Sequence, residues 1–564
     1  MPLSNSQILD SWRTGAGPFV RTCILASSLS LTGIAAETAP VDPVDPPPLP
    51  YPVPTKEQLV QQRELTFPVR QFRVRGTKLL SPEEIADAVY PYTGLGRTLE
   101  DLESARAALE KAYHAKGYQS VGVELPQQNG TRGIIYLVAV ENAVGRLRVR
   151  DAEYHLPSRI KENAPSLAEG TVPDFAKVQE DIVALNTWAD RKVTPSLRPG
   201  VVPGTIDVDL IVEDSLPLHG SIELNNRYSP DTTPLRFNAS ISYGNLWQLG
   251  HTLGLSTQIA PERIEDAEIF SAFYLARFAR NPDLSLLFNA TKQNSDVSTL
   301  GGAAVAGRGE IAGMRVLYTL PGRGDYFHSL STGIDFKRFD ENLSVDEDSF
   351  VTPVEYWPAT FAYGGGWVGD QSFTEVNASA TWAFRGLGSG TDEFDTKRFG
   401  ADGSFFYFRG DLARTQDLPK GFEAFGKLQA QATTNPLINN EQFSGGGASS
   451  VRGYRESEAL GDGGWFLTGE VRTPSLLKGT EKDENGELKN EWRFHAFYDV
   501  GRLYLNEALP EQSDLFRLSS WGLGTRFSLR ESLEGSLEVA WPLVDSTATQ
   551  ASDPFLLFQV EAGF

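Results

Sequence analysis

Cysteine is almost missing from this chain. Its single thiol, Cys23, lies in the N-terminal segment, so the rest of the chain needs no oxidative folding and has no thiolate metal site. Histidine is nearly as scarce: His114, His155, His219, His251, His328 and His495 are scattered without metal-ligand spacing. Beyond the N-terminus no stretch of about 18 apolar residues occurs, which excludes a bundle of transmembrane helices. Cations are outnumbered, 51 Lys and Arg against 73 Asp and Glu, and the formal net charge of −22 argues against nucleic acid, whose phosphates need a basic surface. Catalytic signatures are missing too. There is no His-Glu-x-x-His, no Gly-x-Ser-x-Gly and no phosphate loop ending in Gly-Lys-Ser/Thr, so neither enzyme activity nor a cofactor or metal is expected.

Aromatic residues, in contrast, make up 11% of the 564 residues, while the mean hydropathy is only −0.28. A transmembrane β-barrel combines these properties, because its strands alternate lipid-facing apolar with lumen-facing polar residues and never look hydrophobic as a block. Residues 1–36 read as a secretory signal: Arg13 and Arg21 precede Cys23-Ile24-Leu25-Ala26, and small residues follow at Gly33, Ala35 and Ala36. Residues 37–66 form a linker too rich in proline for helix or sheet, with a short polar segment from Thr55 to Leu65.

Residues 67–142 read β-α-α-β-β. Phe72 and Val74 alternate with Arg73 and Arg75; Ser81-Pro82-Glu83-Glu84 opens a helix with a capping box. A second helix from Thr98 to Gly117 carries Leu99, Leu102, Ala105, Leu109 and Ala112 on one face, and strands follow at Ser120–Leu125 and Gly133–Glu141. Residues 143–214 repeat that order loosely. Leu147-Arg148-Val149-Arg150 matches the first strand in type, a helix aligns Phe175, Val178, Ile182 and Leu185, and strands follow at Val193–Leu197 and Thr205–Val212. Two small tandem α+β modules are the economical reading.

From residue 215 to 564 the helical period gives way to alternation. Phe237, Ala239 and Ile241 oppose Asn238, Ser240 and Ser242; Val376, Ala378, Ala380 and Trp382 oppose Asn377, Ser379 and Thr381; Leu537, Val539 and Trp541 oppose Ser536 and Glu538. A soluble β-sandwich also alternates, but would fill its inside with Leu, Ile and Val rather than Ser, Asn and Thr. About 350 residues at about 22 per strand and connection give about 16 antiparallel strands of an all-β transmembrane barrel. Trp247, Trp367, Trp382, Trp521 and Trp541 fit an interfacial belt or the lipid-facing wall better than a ligand site.

The most specific segment is Gly445-Gly446-Gly447-Ala448-Ser449-Ser450-Val451-Arg452-Gly453-Tyr454-Arg455, followed by Phe497-Tyr498-Asp499-Val500-Gly501. With these motifs the chain resembles the transporter (TpsB) half of two-partner secretion, the haemolysin secretion/activation proteins, within a superfamily of outer-membrane assembly barrels. In that family Val-Arg-Gly-Tyr sits on an extracellular loop folded back into the lumen, and its arginine pairs with the aspartate of Phe-x-Asp-x-Gly. The resemblance therefore implies a gating loop at Val451, Arg452, Gly453 and Tyr454, with Phe497, Asp499 and Gly501 as its partner. It also implies that both modules are polypeptide-transport-associated (POTRA) domains in the periplasm, and that Phe564 signals barrel insertion.

One departure is Ala189, where the family's Asn-x-x-Pro-x-Arg turn has proline, although Asn186 and Arg191 are present. The implied function is an outer-membrane pore that takes an unfolded secreted partner protein from the periplasm to the cell surface. Outer-membrane lipid and the machinery that assembles barrels would be its further partners. The alternative is a factor that inserts other barrels.

Overall fold

A computed structural model describes residues 66–564 apart from 130–131, 189, 279–280, 296, 299–304, 307, 346–347, 478–489, 511 and 531. The expected signal with Cys23, the linker as far as Leu65, and Ala189 lie outside the described residues. Contacts divide the chain into two units between Leu216 and Pro217.

In the first module the parallel pair Gln71–Arg75 and Ile134–Val140 is extended on its other side by Gly122–Glu124. Helix Pro82–Val89 starts as its sequence requires: the Ser81 hydroxyl accepts from Glu84 N, and the Glu84 carboxylate accepts from Ser81 N at 2.8 Å. Helix Leu99–Ala115 buries Leu102, Ala105, Leu109 and Tyr113 in the core it shares with Ile135 and Leu137. The expected apolar face is turned slightly. Leu99 is exposed, and Tyr113 joins the core because its hydroxyl reaches Thr77 Oγ1 and Glu141 Oε1. A short pairing of Phe67–Val69 with Gly94–Arg97 is added, too brief to leave a periodic signal.

The second module repeats the build. Thr205–Asp214 lies between Ala143–Arg150, to which it is parallel, and Arg191–Pro199, to which it is antiparallel. Beside the expected helix, Phe175–Leu185, there is a short one over Pro157–Glu162 that contributes Ile160 to the core. The turn before Arg191–Pro199 is held by the two family-type residues that are present. The Asn186 amide both accepts from Val193 N (2.6 Å) and donates to its carbonyl (3.0 Å), and the Arg191 guanidinium donates to Leu185 O.

From Leu218 to Gly563 the antiparallel strands close into a barrel of sixteen positions. Among the described residues seventeen strands are distinct, but Asp348–Tyr356 and Ala359–Gly369 share one position, each pairing with a different half of Tyr326–Val345. The break falls at Trp357-Pro358, where proline has no N–H for the ladder; the Pro358 carbonyl instead accepts from Asp335 N. The first strand, Leu218–Asn225, meets the last, Phe555–Gly563, in five registered pairs. The Asn226 side chain extends that seam by donating to Leu556 O and accepting from Phe558 N.

Alternation is resolved as the sequence implies. Ile241, Leu255, Leu428, Leu537 and Val560 face outward and are exposed, whereas Gln258, Asn289, Arg315 and Glu375 face inward. Among the described residues no helix is long and apolar enough to cross a membrane.

Candidate functional site

Strands Glu423–Ala432 and Gly463–Arg472 are neighbours in the wall, and the chain between them leaves the rim opposite the one where the barrel begins. It carries a small hairpin, Phe443–Gly445 paired with Ala459–Gly461, whose connection holds the motif 451–454. All four motif residues are buried.

Arg452 reaches the inward face of the wall. Its Nε donates to Asp499 Oδ2 at 2.8 Å and its Nη2 to Asp499 Oδ1 at 3.0 Å, and its backbone N–H adds a third bond to the same carboxylate. This bidentate fork is the geometry for which a guanidinium is suited and an ammonium is not. The guanidinium carbon also stands 3.4 Å from the centre of the Phe497 ring. Motif and partner motif are therefore in contact, with Phe497 and Asp499 inward and Tyr498 outward, as strand alternation requires.

Four residues at this site were not singled out in the sequence, the carboxylates Glu470 and Glu538 and the guanidiniums Arg472 and Arg526. Arg452 Nη1 lies 3.0 Å from Glu470 Oε2 and 3.4 Å from Glu538 Oε1. Arg526 joins the same two carboxylates, Arg472 pairs with Glu470, and His495 Nε2 lies 2.9 Å from Glu538. Three guanidiniums thus face three carboxylates in a web that leaves no charge uncompensated. The usable signal was position: Glu538 lies on the inward half of an alternating strand, where an acidic residue needs a partner.

The rest of the motif fits the loop to this wall. Gly453 has φ of 96°, and a Cβ there would stand 3.2 Å from Ala540 Cβ, so both conformation and space call for glycine. The Tyr454 hydroxyl donates to Val544 O at 2.8 Å, and Val451 packs with Phe466, Leu503 and Leu518. Gly501 leaves room for the Phe466 ring, which a Cβ would meet at 2.2 Å. Beyond the motif, Glu456 pairs with Arg227 at 2.8 Å and Glu458 accepts from Thr549 Oγ1 at 2.6 Å, so the loop touches both ends of the barrel chain.

Phe564 lies far from this site. Its backbone pairs with Gly220, and its ring is exposed. Trp521 and Trp541 stack at 4.7 Å beside outward Tyr498, as belt residues would; Trp247 is in a turn. Among the described residues no cluster of His, Cys, Asp and Glu is arranged to hold a metal ion.

A closed sixteen-position barrel with a charge-anchored loop drawn into its lumen, preceded by two small α+β modules, defines an outer-membrane β-barrel protein. The model of the haemolysin secretion/activation protein ShlB/FhaC/HecB matches residues 204–527, and that of the ShlB-type POTRA domain matches residues 67–142. The chain belongs to that family, the outer-membrane transporters of two-partner secretion, which serve a secreted exoprotein and hold their POTRA domains in the periplasm.

The outer membrane transporter CdiB of Dickeya dadantii (strain 3937) is 22% identical over 501 residues, 85% of this chain and 83% of that protein. The structure of CdiB from Escherichia coli has a TM-score of 0.61 at 18% identity, covering 99% of this chain and 97% of that one. BamA from Haemophilus ducreyi lacking POTRA domains 1–3 has a TM-score of 0.54 at 15% identity, covering 88% of this chain and all of that one. Both structural likenesses bear on fold alone.

Proposed function

We propose that the loop carrying Val451, Arg452, Gly453 and Tyr454 is the gate of this transporter, and that the fork of Arg452 on Asp499 is its latch. The observation behind this reading is that buried Arg452 is held by three carboxylates of the inward wall, Asp499, Glu470 and Glu538. An unfolded client docks on the modules, displaces the loop and threads the lumen, and its folding outside makes passage irreversible. Arg191–Pro199 is an edge strand, with no further strand paired to it among the described residues, and suits capture of an extended client by strand addition. Outward apolar side chains take the membrane lipid, and the exposed ring of Phe564 is what the barrel assembly machinery reads during insertion.

The test is export of the exoprotein encoded beside this gene, by the wild type, by Arg452→Ala and by a chain lacking residues 67–212, with outer-membrane insertion checked for each. Loss of one partner of a dehydrated pair costs about 3–5 kcal/mol, falling toward about 0–1 kcal/mol in a wet lumen. Arg452→Ala is expected to insert normally and export less. Unchanged export by an inserted Arg452→Ala barrel would sink the gating role. Export indifferent to all three, with other barrels failing to assemble when the protein is missing, would make it an insertion factor.

A further inference from the structure

The loop has a further buried ionic contact at its base, which the motif does not include. The Glu441 side chain is 1% exposed and pairs with Lys337 Nζ. The same carboxylate accepts from the Tyr356 hydroxyl at 2.6 Å and from the Tyr407 hydroxyl at 2.9 Å. Lys337 lies inward on Tyr326–Val345, directly opposite Tyr356, and Tyr407 lies on Phe405–Asp417. Rings of Phe394 and Phe405 pack edge-on against Tyr356, which keeps the contact out of bulk water.

None of these strands contacts Arg452, whose partners lie on Gly463–Arg472, Asn490–Tyr504 and Leu533–Pro542. The side chains of Glu441 and Arg452 thus fasten the loop to strands on either side of Glu423–Ala432, whose Gln431 donates to the loop carbonyls of Glu441 and Asp462.

We infer that Glu441 is a positioning residue of the gate, a second latch closed by Lys337, Tyr356 and Tyr407, and that the loop clears the lumen only when both latches have broken. This rests on the gating role proposed for the loop. While one latch holds, the partners of the other remain at high effective concentration and reclose it. Arg452 alone therefore does not set the closed state. A client must act on the base of the loop as well as on its tip.

The experiment is single-channel recording of the purified full chain in planar bilayers, with no client present and heat-modifiable migration confirming a folded barrel. Glu441→Gln leaves Lys337 buried without its counter-charge and is expected to raise open probability at least ~10-fold. Combined with Arg452→Ala, the rise should equal the product of the two separate effects. The exchange Lys337→Glu with Glu441→Lys should restore closure, which loss of packing alone would not predict. If Glu441→Gln does not fold, the paired change Tyr356→Phe and Tyr407→Phe removes two hydrogen bonds without orphaning a charge, and a smaller rise is expected.

Unaltered gating in Glu441→Gln, or in the tyrosine pair, while Arg452→Ala opens the channel, would overturn the second latch and leave the gating role standing. Unaltered gating in both Glu441→Gln and Arg452→Ala would overturn the two together.

Discussion

Strand Thr205–Asp214 of the second module and strand Asn490–Tyr504 of the barrel both alternate, yet they turn opposite kinds of side chain toward the interior. In the first, Val208, Leu210 and Val212 point into a core. On its other face Asp207 and Asp209 are covered by Arg148, Arg150 and Arg198. In the second, His495 and Asp499 point inward with Phe497 beneath a guanidinium, while Phe494 and Tyr498 are turned outward and exposed. The period is the same; what differs is where water is. A module in the periplasm gathers apolar groups inside, whereas a wall in lipid sends them out and leaves its lumen to charges that must neutralise one another. An ion-paired loop plug is therefore a natural filling for the barrel, and would be out of place in either module core.

The same substitution placed on the two sides should separate these environments most clearly. Leu109 is fully buried in the first module, and Leu109→Ala should cost about 2–5 kcal/mol through the cavity it leaves. Hydrogen exchange of helix Leu99–Ala115 in the intact protein would read this loss. Leu428 lies outward in a row with Leu412 and Leu467. There acyl chains refill the space, so Leu428→Ala should cost under about 1 kcal/mol. An equal loss at both positions would mean that Leu428 does not face lipid. Charge reverses the test: Leu428→Arg near the middle of the wall should cost about 2–4 kcal/mol, measured as a lower urea midpoint for unfolding in lipid vesicles.

How far the sequence discloses these arrangements depends on distance along the chain. Local signals are clear: the capping box at Ser81, the stripe Leu102–Ala105–Leu109 and the alternation of Val376 to Trp382 depend on neighbours within a few residues. The barrel also follows from them, because closure needs only enough alternating strands. Pairing Arg452 with Asp499 required a family resemblance, since nothing local to either residue points to the other. Glu470 could not be matched to Arg452 without the register of three strands. Glu441 was less visible still: it lies in Asn439-Asn440-Glu441-Gln442, a polar stretch without period, and its partner Lys337 is far upstream. Short elements such as Gly94–Arg97 and Pro157–Glu162 escaped because one turn or four residues carry too little pattern.

In the second module Asp214, too, is a carboxylate held by surrounding donors, as those of the lumen are. Asp214 accepts from the backbone N–H groups of Glu153, Tyr154 and His155 and from His155 Nδ1 at 3.0 Å, beside the ring of Trp188. Burial alone would push its pKa up, but these four donors outweigh it and hold the carboxyl below its ordinary 3.8. Burial also holds the His155 imidazole below its ordinary 6.5, so the ring is neutral and can donate from Nδ1. Both folded values are depressed, so both contributions to stability are complete above the unfolded values and fade as pH falls through the folded ones. For His155 the decline begins below pH 6.5, and for Asp214 below pH 3.8.

Asp214→Asn turns an amide N–H toward donors and should cost about 1–3 kcal/mol at neutral pH. It should also flatten the part of the acid limb below pH 3.8. Hydrogen exchange of strand Thr205–Asp214 between neutral and acid pH in the intact protein would measure both. An Asn variant as acid-sensitive as the wild type would place the acid-labile group elsewhere, and the contrast between an apolar module and a charged lumen would then hold without this exception.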